Sequence, residues 1–465
     1  MIGEHRTKKG SGIVIDMGTN RPSSVSLVAG IDAGSTETRV CLAEMADARI
    51  FSDESRIKDA LEVLGKTYVT PSTYAMTADN REILPVDDQL ENNLDSIIMM
   101  VHVAAERPML TRHRILRGRK TRDAMGIVAR YLDSSTNKSD NTVFYTNIID
   151  GLGYAIMQKY NGAVPQEVQL HLTLSVRPKE LSSICRKKML DNLVGQYVFA
   201  WKSNSIKLNI LGVEFSTEPE AQVFGTSTVC DLKYANNEGD KYKALADKLW
   251  DVGTYIHIEG GGSSIGVEVV RGGQLVTSCS ATFQLGGNYM QQMFVDRVIE
   301  HMGRTPTSDA AAEALQTTLL RDGREVIDVD SIVADCKNQV AADIVERLRH
   351  AVIDLNHWLS LQDVGFISLG GRLFRPDAKG NTITEYLQEY IHQMSPNTEI
   401  IVLEDNYIPQ GNLVMAVNDA VKSGFFVLDN ADNGNSNHDN GSYTAEPVSV
   451  GSGYQEQDED NDSPM

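Results

Sequence analysis

Between residues 27 and 426 short apolar runs of strand length alternate with longer stretches in which apolar residues recur every three or four positions. The short runs are rich in Val, Ile and Leu and bounded by Gly, Asp or Ser. They predict strands near 28–33, 38–44, 168–176, 206–215, 254–259, 265–271 and 364–369. The periodic stretches predict helices over 146–159, 181–200, 288–302, 332–361 and 411–426. In 340–359, Val340, Ile344, Leu348, Val352, Leu355 and Leu359 share one face, with Asp343, Glu346, Arg347 and Arg349 elsewhere, so this helix should pack one side on a sheet. Asn236–Asp240 and Gly370–Gly380 read as loops, and no tandem repeat is visible. Residues 1–26 read as a flexible extension in which 13–18 can form a short strand. Strand and helix alternating on this scale favour an α/β architecture.

Length and charge narrow the function classes. A chain of 465 residues exceeds what one core supports, so two or more domains are expected. The net charge is −20, of which −9 belongs to residues 429–465, a stretch with no Lys, Arg, Leu, Ile or Phe. That stretch cannot bury enough apolar area to offset its ordering entropy and reads as a disordered acidic tail. The remaining acidity disfavours direct binding to phosphate backbones or anionic lipid. No apolar run is long enough to span a bilayer. The N-terminus is basic without an apolar signal core, which argues for the cytoplasm. The cysteines, Cys41, Cys185, Cys230, Cys279 and Cys336, are odd in number and far apart, so free thiols are expected and a metal site is not.

Three glycine-rich segments each follow an apolar strand. In VAGIDAGSTETR at 28–39, a strand ends at Asp32 and turns through Gly34, Ser35 and Thr36. Such a turn presents backbone N–H groups to phosphate oxygens, and Asp32 beside it can hold Mg²⁺ through water. An ordinary hairpin turn is the competing reading of this segment alone. In TYIHIEGGGSSIGVEVV at 254–270, a second hairpin carries Gly261, Gly262, Ser263 and Ser264, with Glu259 ending the entering strand. In FISLGGRLFRP at 366–376, Gly370 and Gly371 allow an adenine or ribose to lie against the backbone, and Arg372 can stack or contact phosphate.

The order of these segments resembles the superfamily of actin, heat-shock chaperone and hexokinase ATPases, most of all the bacterial plasmid-segregation ParM-like actins. GIDAGSTETR is similar to the first phosphate loop, with Arg39 where the family often has a basic residue; IEGGGSSIGV is similar to the second; FISLGGRLF resembles the adenosine motif. STEPEAQVFG at 216–225 and IPQGNLVMAVNDA at 408–420 resemble the two connecting segments, and QLGGNYMQQMFVDRVIEHMG at 284–303 the helix after the second loop. The resemblance covers about residues 27–426. It implies a two-domain actin-like fold, each domain a ribonuclease-H-like mixed sheet with flanking helices, and ATP·Mg²⁺ in the interdomain cleft. The implied boundaries are 27–225 for domain I with an inserted subdomain at about 50–140, 226–410 for domain II, and 411–428 for a helix returning to domain I.

By the same resemblance Asp32 and Glu259 orient the metal through water, and Glu218 or Glu220 aligns the attacking water. Glu259 departs from the Asp usual at its position and is one methylene longer. Glu218 fits the Glu-Pro pattern of chaperones and rod-shape actins, Glu220 the Pro-Glu pattern of the segregation branch. IDMGT at 15–19 imitates a first phosphate loop but lacks the immediate second strand. Lys337 is either an adenine-side contact at a helix start or a surface lysine. Arg107, Arg112, Arg114, Arg117, Arg119, Lys120 and Arg122 form the conspicuous basic stretch, a face for another subunit, a nucleic-acid contact or a solvated edge. His257 and His357 read as packed rather than ligating.

Three functions remain open. The first is an ATPase that forms filaments with itself and positions DNA through a separate DNA-binding adaptor, since no DNA-reading module is visible. The second is a chaperone ATPase, which would need a β-rich peptide-binding domain after residue 428. The third is a small-molecule kinase of the same superfamily, which fold analogy alone does not exclude.

Overall fold

The computed structural model describes residues 24–422 except 36, 46–49, 52, 73, 78–96, 104–112, 118–128, 131–136, 162, 202–203, 251–252, 273, 355–358 and 404. The strand expected at 13–18, the acidic tail, His357, Thr36 and most of the basic stretch lie outside the described residues.

The first sheet starts with β1 (Ser24–Ala33), β2 (Glu37–Glu44) and, after helix α1 (Ile57–Gly65), β3 (Thr67–Pro71). Four strands follow: β4 (Tyr74–Thr77), β5 (Ile97–Val103), β6 (His113–Arg117) and β7 (Ala129–Arg130). Helix α2 (Thr142–Tyr160) leads to β8 (Glu167–Val176), α3 (Ser183–Leu193), β9 (Gly195–Trp201) and β10 (Asn204–Thr217). Within this sheet β3-β2-β1-β8-β10 is continued by β9-β5-β6-β4-β7. The described strands of the expected insertion therefore extend the sheet edge.

The second sheet is reached through α4 (Glu218–Ala235) and α5 (Asp240–Leu249). It contains β11 (Thr254–Gly260), β12 (Ile265–Arg271), β13 (Gln274–Leu275) and β14 (Ala281–Phe283). Helices α6 (Gly287–Met302) and α7 (Ser308–Thr317), the hairpin β15 (Leu319–Asp322) and β16 (Glu325–Asp328), and α8 (Asp330–Leu348) come next. The described residues close with β17 (Val364–Gly370), α9 (Ile383–Met394), β18 (Glu399–Val402) and α10 (Ile408–Lys422). The order is β13-β12-β11-β17-β18. Both sheets share one plan. A meander of three antiparallel strands has its first strand flanked by a parallel strand, which is flanked by another.

The alternation of side chains across each strand explains the layers. Leu27, Ala29 and Ile31 pack with Phe144, Ile148 and Leu152 of α2, whereas Val28, Cys41 and Ala43 pack with Leu413, Ala416 and Val417 of α10. In the second sheet, Ile256, Ile258 and Val267 meet Val340 and Ile344 of α8 and Leu387 of α9. Tyr255 and Phe366 stack on the opposite face, where Val223 of α4 and Leu249 of α5 cover them. Helices α4 and α10 thus bind both sheets together. All five cysteines are unpaired and buried. Among the described residues no helix is long and apolar enough to cross a membrane.

The helix expected over 181–200 is corrected: α3 stops at Leu193 and 195–201 is strand β9, paired antiparallel with β10. Gly195 breaks it with a φ of 138°, and the aromatic and β-branched run Tyr197-Val198-Phe199 then favours the pleated surface. The helix expected from 332 begins at Asp330 and gives way after Leu348 to a π-turn at Arg349–Ile353.

Candidate functional site

Asp32 and Glu259 end the central strands of their respective sheets, β1 and β11. Parallel neighbours leave room at these ends, where open α/β sheets place their ligands. Asp32 is buried; Asn406 Nδ2, from the turn before α10, donates to its Oδ2 at 3.3 Å, and Arg39 Nη1 lies 3.7 Å away. Burial raises the Asp32 carboxyl above its ordinary value, Arg39 opposes this, and Glu218 adds to it. Glu259 is pushed well above the carboxylate range by burial first, then by the charges of Asp32 and Glu218. Three acids from two sheets and one connecting helix therefore share one electrostatic environment.

Glu218 and Glu220 have different surroundings. Thr217, Glu218, Pro219 and Glu220 open α4 as a capping box: Glu220 N–H donates to Thr217 Oγ1 at 3.1 Å, and Thr217 N–H to Glu220 Oε2 at 3.2 Å. The Glu220 carboxylate is thus committed to the helix end. Glu218 faces the cleft, and Lys138 Nζ donates to its Oε1 at 2.5 Å.

The two glycine hairpins are tight turns. Gly34 N–H donates to Glu37 O at 3.0 Å, Gly261 N–H to Ser264 O at 2.9 Å, and Ser72 Oγ to Gly34 O at 2.7 Å. This corrects one expectation. The N–H groups of Gly34 and Gly261 close the turns and are not aimed at a ligand; Ser35, Gly262, Ser263 and Ser264 form the turn crests. The second turn is seated on the start of α6, whose Gly287 and Asn288 N–H groups donate to Gly261 O and Gly262 O at 3.1 and 2.6 Å. Arg39 extends from β2 and also donates to Glu37 at 2.8 Å.

Gly370 ends β17 beside Glu259, and a Cβ there would overlap the Glu259 carboxylate. Gly371 has a φ of 91°, and a side chain would meet Gly260 O and Glu259 Oε1. This glycine pair is thus what admits the longer Glu259 at its strand end. His257 is fully buried, 2.8 Å from Ser368 Oγ and 3.4 Å from Glu259 Oε2; burial lowers its pKa to about 3, so it is neutral and packed. Arg372 is exposed; the cations that act on Glu259 are Arg39 first and then Arg375, three residues beyond Arg372.

Lys337 is neither at a helix start nor on the surface. It sits two turns into α8, is buried, and donates to Asp377 Oδ2 at 2.5 Å and Asn381 O at 2.8 Å. It braces the 372–382 segment against α8. Lys138, Asn406 and Arg375 are the charged or polar groups that sequence reading missed. Asn406 precedes the recognised connecting helix, but no residue pattern marks Lys138.

Among the described residues no group of three or more His, Cys, Asp or Glu closes around a metal ion. The crowding of Asp32, Glu218 and Glu259 nevertheless fits a divalent cation held at a distance, through water, because a cation relieves like-charge repulsion without direct ligation.

The duplicated sheets joined by two crossing helices constitute the two-domain actin-like fold. Solved structures with this fold align over most of the chain. An archaeal actin homologue, Ta0583, matches at TM-score 0.55 and 12% identity over 85% of this chain and 99% of that one. A non-polymerisable quadruple mutant of pCBH ParM matches at 0.54 and 11% over 86% and 99%, and Bacillus thuringiensis ParM with ATP at 0.51 and 11% over 85% and 99%. No protein-family profile and no curated protein sequence matches the chain.

Proposed function

We propose that the protein is an ATPase that binds ATP·Mg²⁺ between its two sheets and assembles into nucleotide-dependent filaments. The observation that carries this reading is the convergence of Asp32, Glu218 and Glu259 between two glycine hairpins at matching ends of duplicated sheets. The crests at Ser35 and at Gly262–Ser264 would present backbone N–H groups to the phosphates, with Arg39 adding charge. Asp32 and Glu259, the latter seated against Gly370 and Gly371, would hold the Mg²⁺ water shell, and Mg²⁺ would supply charge neutralisation on the phosphates. Glu218, the acid of the pair that faces the cleft, would accept a hydrogen bond from the attacking water. Positioning of this kind needs no covalent nucleophile. The domains would run over 27–225, 226–410 and 411–428. The likeness to a ParM solved with ATP, and to another made non-polymerisable by mutation, supports nucleotide binding and self-assembly. DNA segregation through an adaptor protein, in the cytoplasm, is the cellular role this reading favours.

The test compares phosphate release and pelleting. Asp32→Ala and Glu218→Ala are expected to lower ATP turnover by roughly 100-fold or more, the range lost with a single positioning or electrostatic group. Glu220→Ala is expected to lower stability by about 1 kcal/mol, as for a lost cap, with turnover within about threefold. Wild-type turnover in Glu218→Ala would sink the site. Wild-type protein that stays in the supernatant with ATP·Mg²⁺ at high concentration would sink the filament reading.

A further inference from the structure

Lys138 lies outside every glycine-rich or connecting segment, yet its ammonium is 3% exposed and bonded to the one connecting-helix acid that faces the cleft. A buried lysine must be held by design of its surroundings, since desolvation disfavours its charge. Here the holding is explicit. The Lys138 backbone N–H donates at 2.6 Å to Glu180 Oε1, fixing where the residue sits, and the other Glu180 oxygen takes the Arg177 backbone N–H at 3.2 Å. Glu180 is itself fully buried, in the short turn Pro178–Glu180 that follows β8. Strand β8 runs parallel to β1 with Ser175 beside Asp32, so this turn carries Lys138 to the C-terminal edge of the first sheet. Lys138 accordingly acts on Asp32 as well as on Glu218, and Phe144 of α2 backs it at 5.5 Å. The other cation felt by Asp32, Arg39, is shared between Asp32 at 3.7 Å and Glu37 at 2.8 Å, and Arg375 acts on Glu259.

Resting on the functional reading above, we infer that Lys138 is a terminal-phosphate sensor: its ammonium holds Glu218 when no terminal phosphate is present and turns to that phosphate when a nucleoside triphosphate enters. The exchange has two consequences. It releases Glu218 to orient water only when a triphosphate is bound, and it gives triphosphate a charge-assisted hydrogen bond that diphosphate lacks. No proton or bond is transferred by Lys138 itself; it changes partners between two anions. The flexible four-carbon stem of lysine suits such a move better than a planar guanidinium, which favours a fixed bidentate grip.

Isothermal titration of the full-length protein with adenylyl imidodiphosphate and with ADP, both with Mg²⁺, tests this without relying on turnover. Lys138→Met is expected to lose about 10–100-fold in affinity for the triphosphate analogue and less than about threefold for ADP. Because Lys138→Met leaves the half-buried Glu218 without its partner, Lys138→Met/Glu218→Gln is measured beside it and should show the same selective loss in a fully folded protein. Lys138→Arg should recover only part of the preference. Equal losses for both nucleotides in the double variant, or no loss for the analogue, overturn the sensor. Wild-type protein that binds neither nucleotide overturns the functional reading itself, a result distinguishable from either.

Discussion

Glu268 is a carboxyl group where a charge is costly. It points from β12 toward the start of α4 and is 1% exposed, with the Thr217 hydroxyl beside it favouring the charged form. Burial pushes it up to about 8, with Glu220 and Glu218 adding repulsion. Its folded pKa lies above its unfolded one, so the stabilising protonated form is fully present below about pH 4.5 and is lost as pH rises through about 8. Glu268→Gln should therefore gain on the wild type between pH 5 and 8, by on the order of 3 kcal/mol, in parallel denaturant titrations. Parallel stability-versus-pH curves for the two proteins would refute it. At this scale legibility was uneven. Asp32 and Glu259 could be found because strand ends before glycine turns are marked in sequence. The capping box Thr217-Glu218-Pro219-Glu220 was also written there, and it distinguishes the helix-bound Glu220 from the cleft-facing Glu218. Lys138 could not be found, because burial of a lysine depends on Glu180 and Glu218, 42 and 80 residues away.

The decisive elements are α4 and α10. They cross at Gly225 and Gly411, where backbone meets backbone: a Cβ on Gly225 would overlap Tyr407 O, and one on Gly411 would overlap Ala221 O. Gln222 seals the crossing, donating to Asp405 O at 2.8 Å and accepting from Tyr407 N–H at 2.9 Å. Gly225→Ala should cost roughly 1–3 kcal/mol, because helix backbones rather than side chains must give way. Gly65→Ala, at the exposed end of α1 with nothing near its Cβ, should gain about 0.4–1 kcal/mol by restricting the unfolded chain. Chemical denaturation of both variants checks the pair, and a neutral Gly225→Ala would show the crossing to be loose. Most elements were readable from periodicity because each has one apolar face. The 181–200 segment was misread because Cys185, Met189 and Leu193 continue smoothly into Tyr197, so only the conformation of Gly195 separates helix from strand.

At the scale of the molecule, the doubled plan of the sheets was legible only indirectly, through two similar glycine hairpins. Pairing between β1 and β8, or β11 and β17, joins residues more than 100 positions apart and leaves no local trace. The same is true of α10. Its Asn412 donates to Ile31 O at 2.8 Å, and its backbone lies so close to Gly30 that a side chain there would overlap Pro409 O and Leu413 N. The helix that covers the first strand is thus made last among the described elements. On a ribosome, β10 is complete at residue 217 and α10 begins only at 408. At about 5–20 residues per second the apolar strip of Val28, Cys41 and Ala43 waits roughly 10–40 s for its lid. A chain stopped at residue 407 should consequently aggregate or bind a hydrophobic dye, and a peptide of residues 408–422 supplied separately should suppress both. If the shortened chain instead stays soluble and unfolds cooperatively, the first sheet closes without that helix. Otherwise the nascent protein is a client for chaperones until that helix is made, for a reason contained in Gly30 of its first described strand.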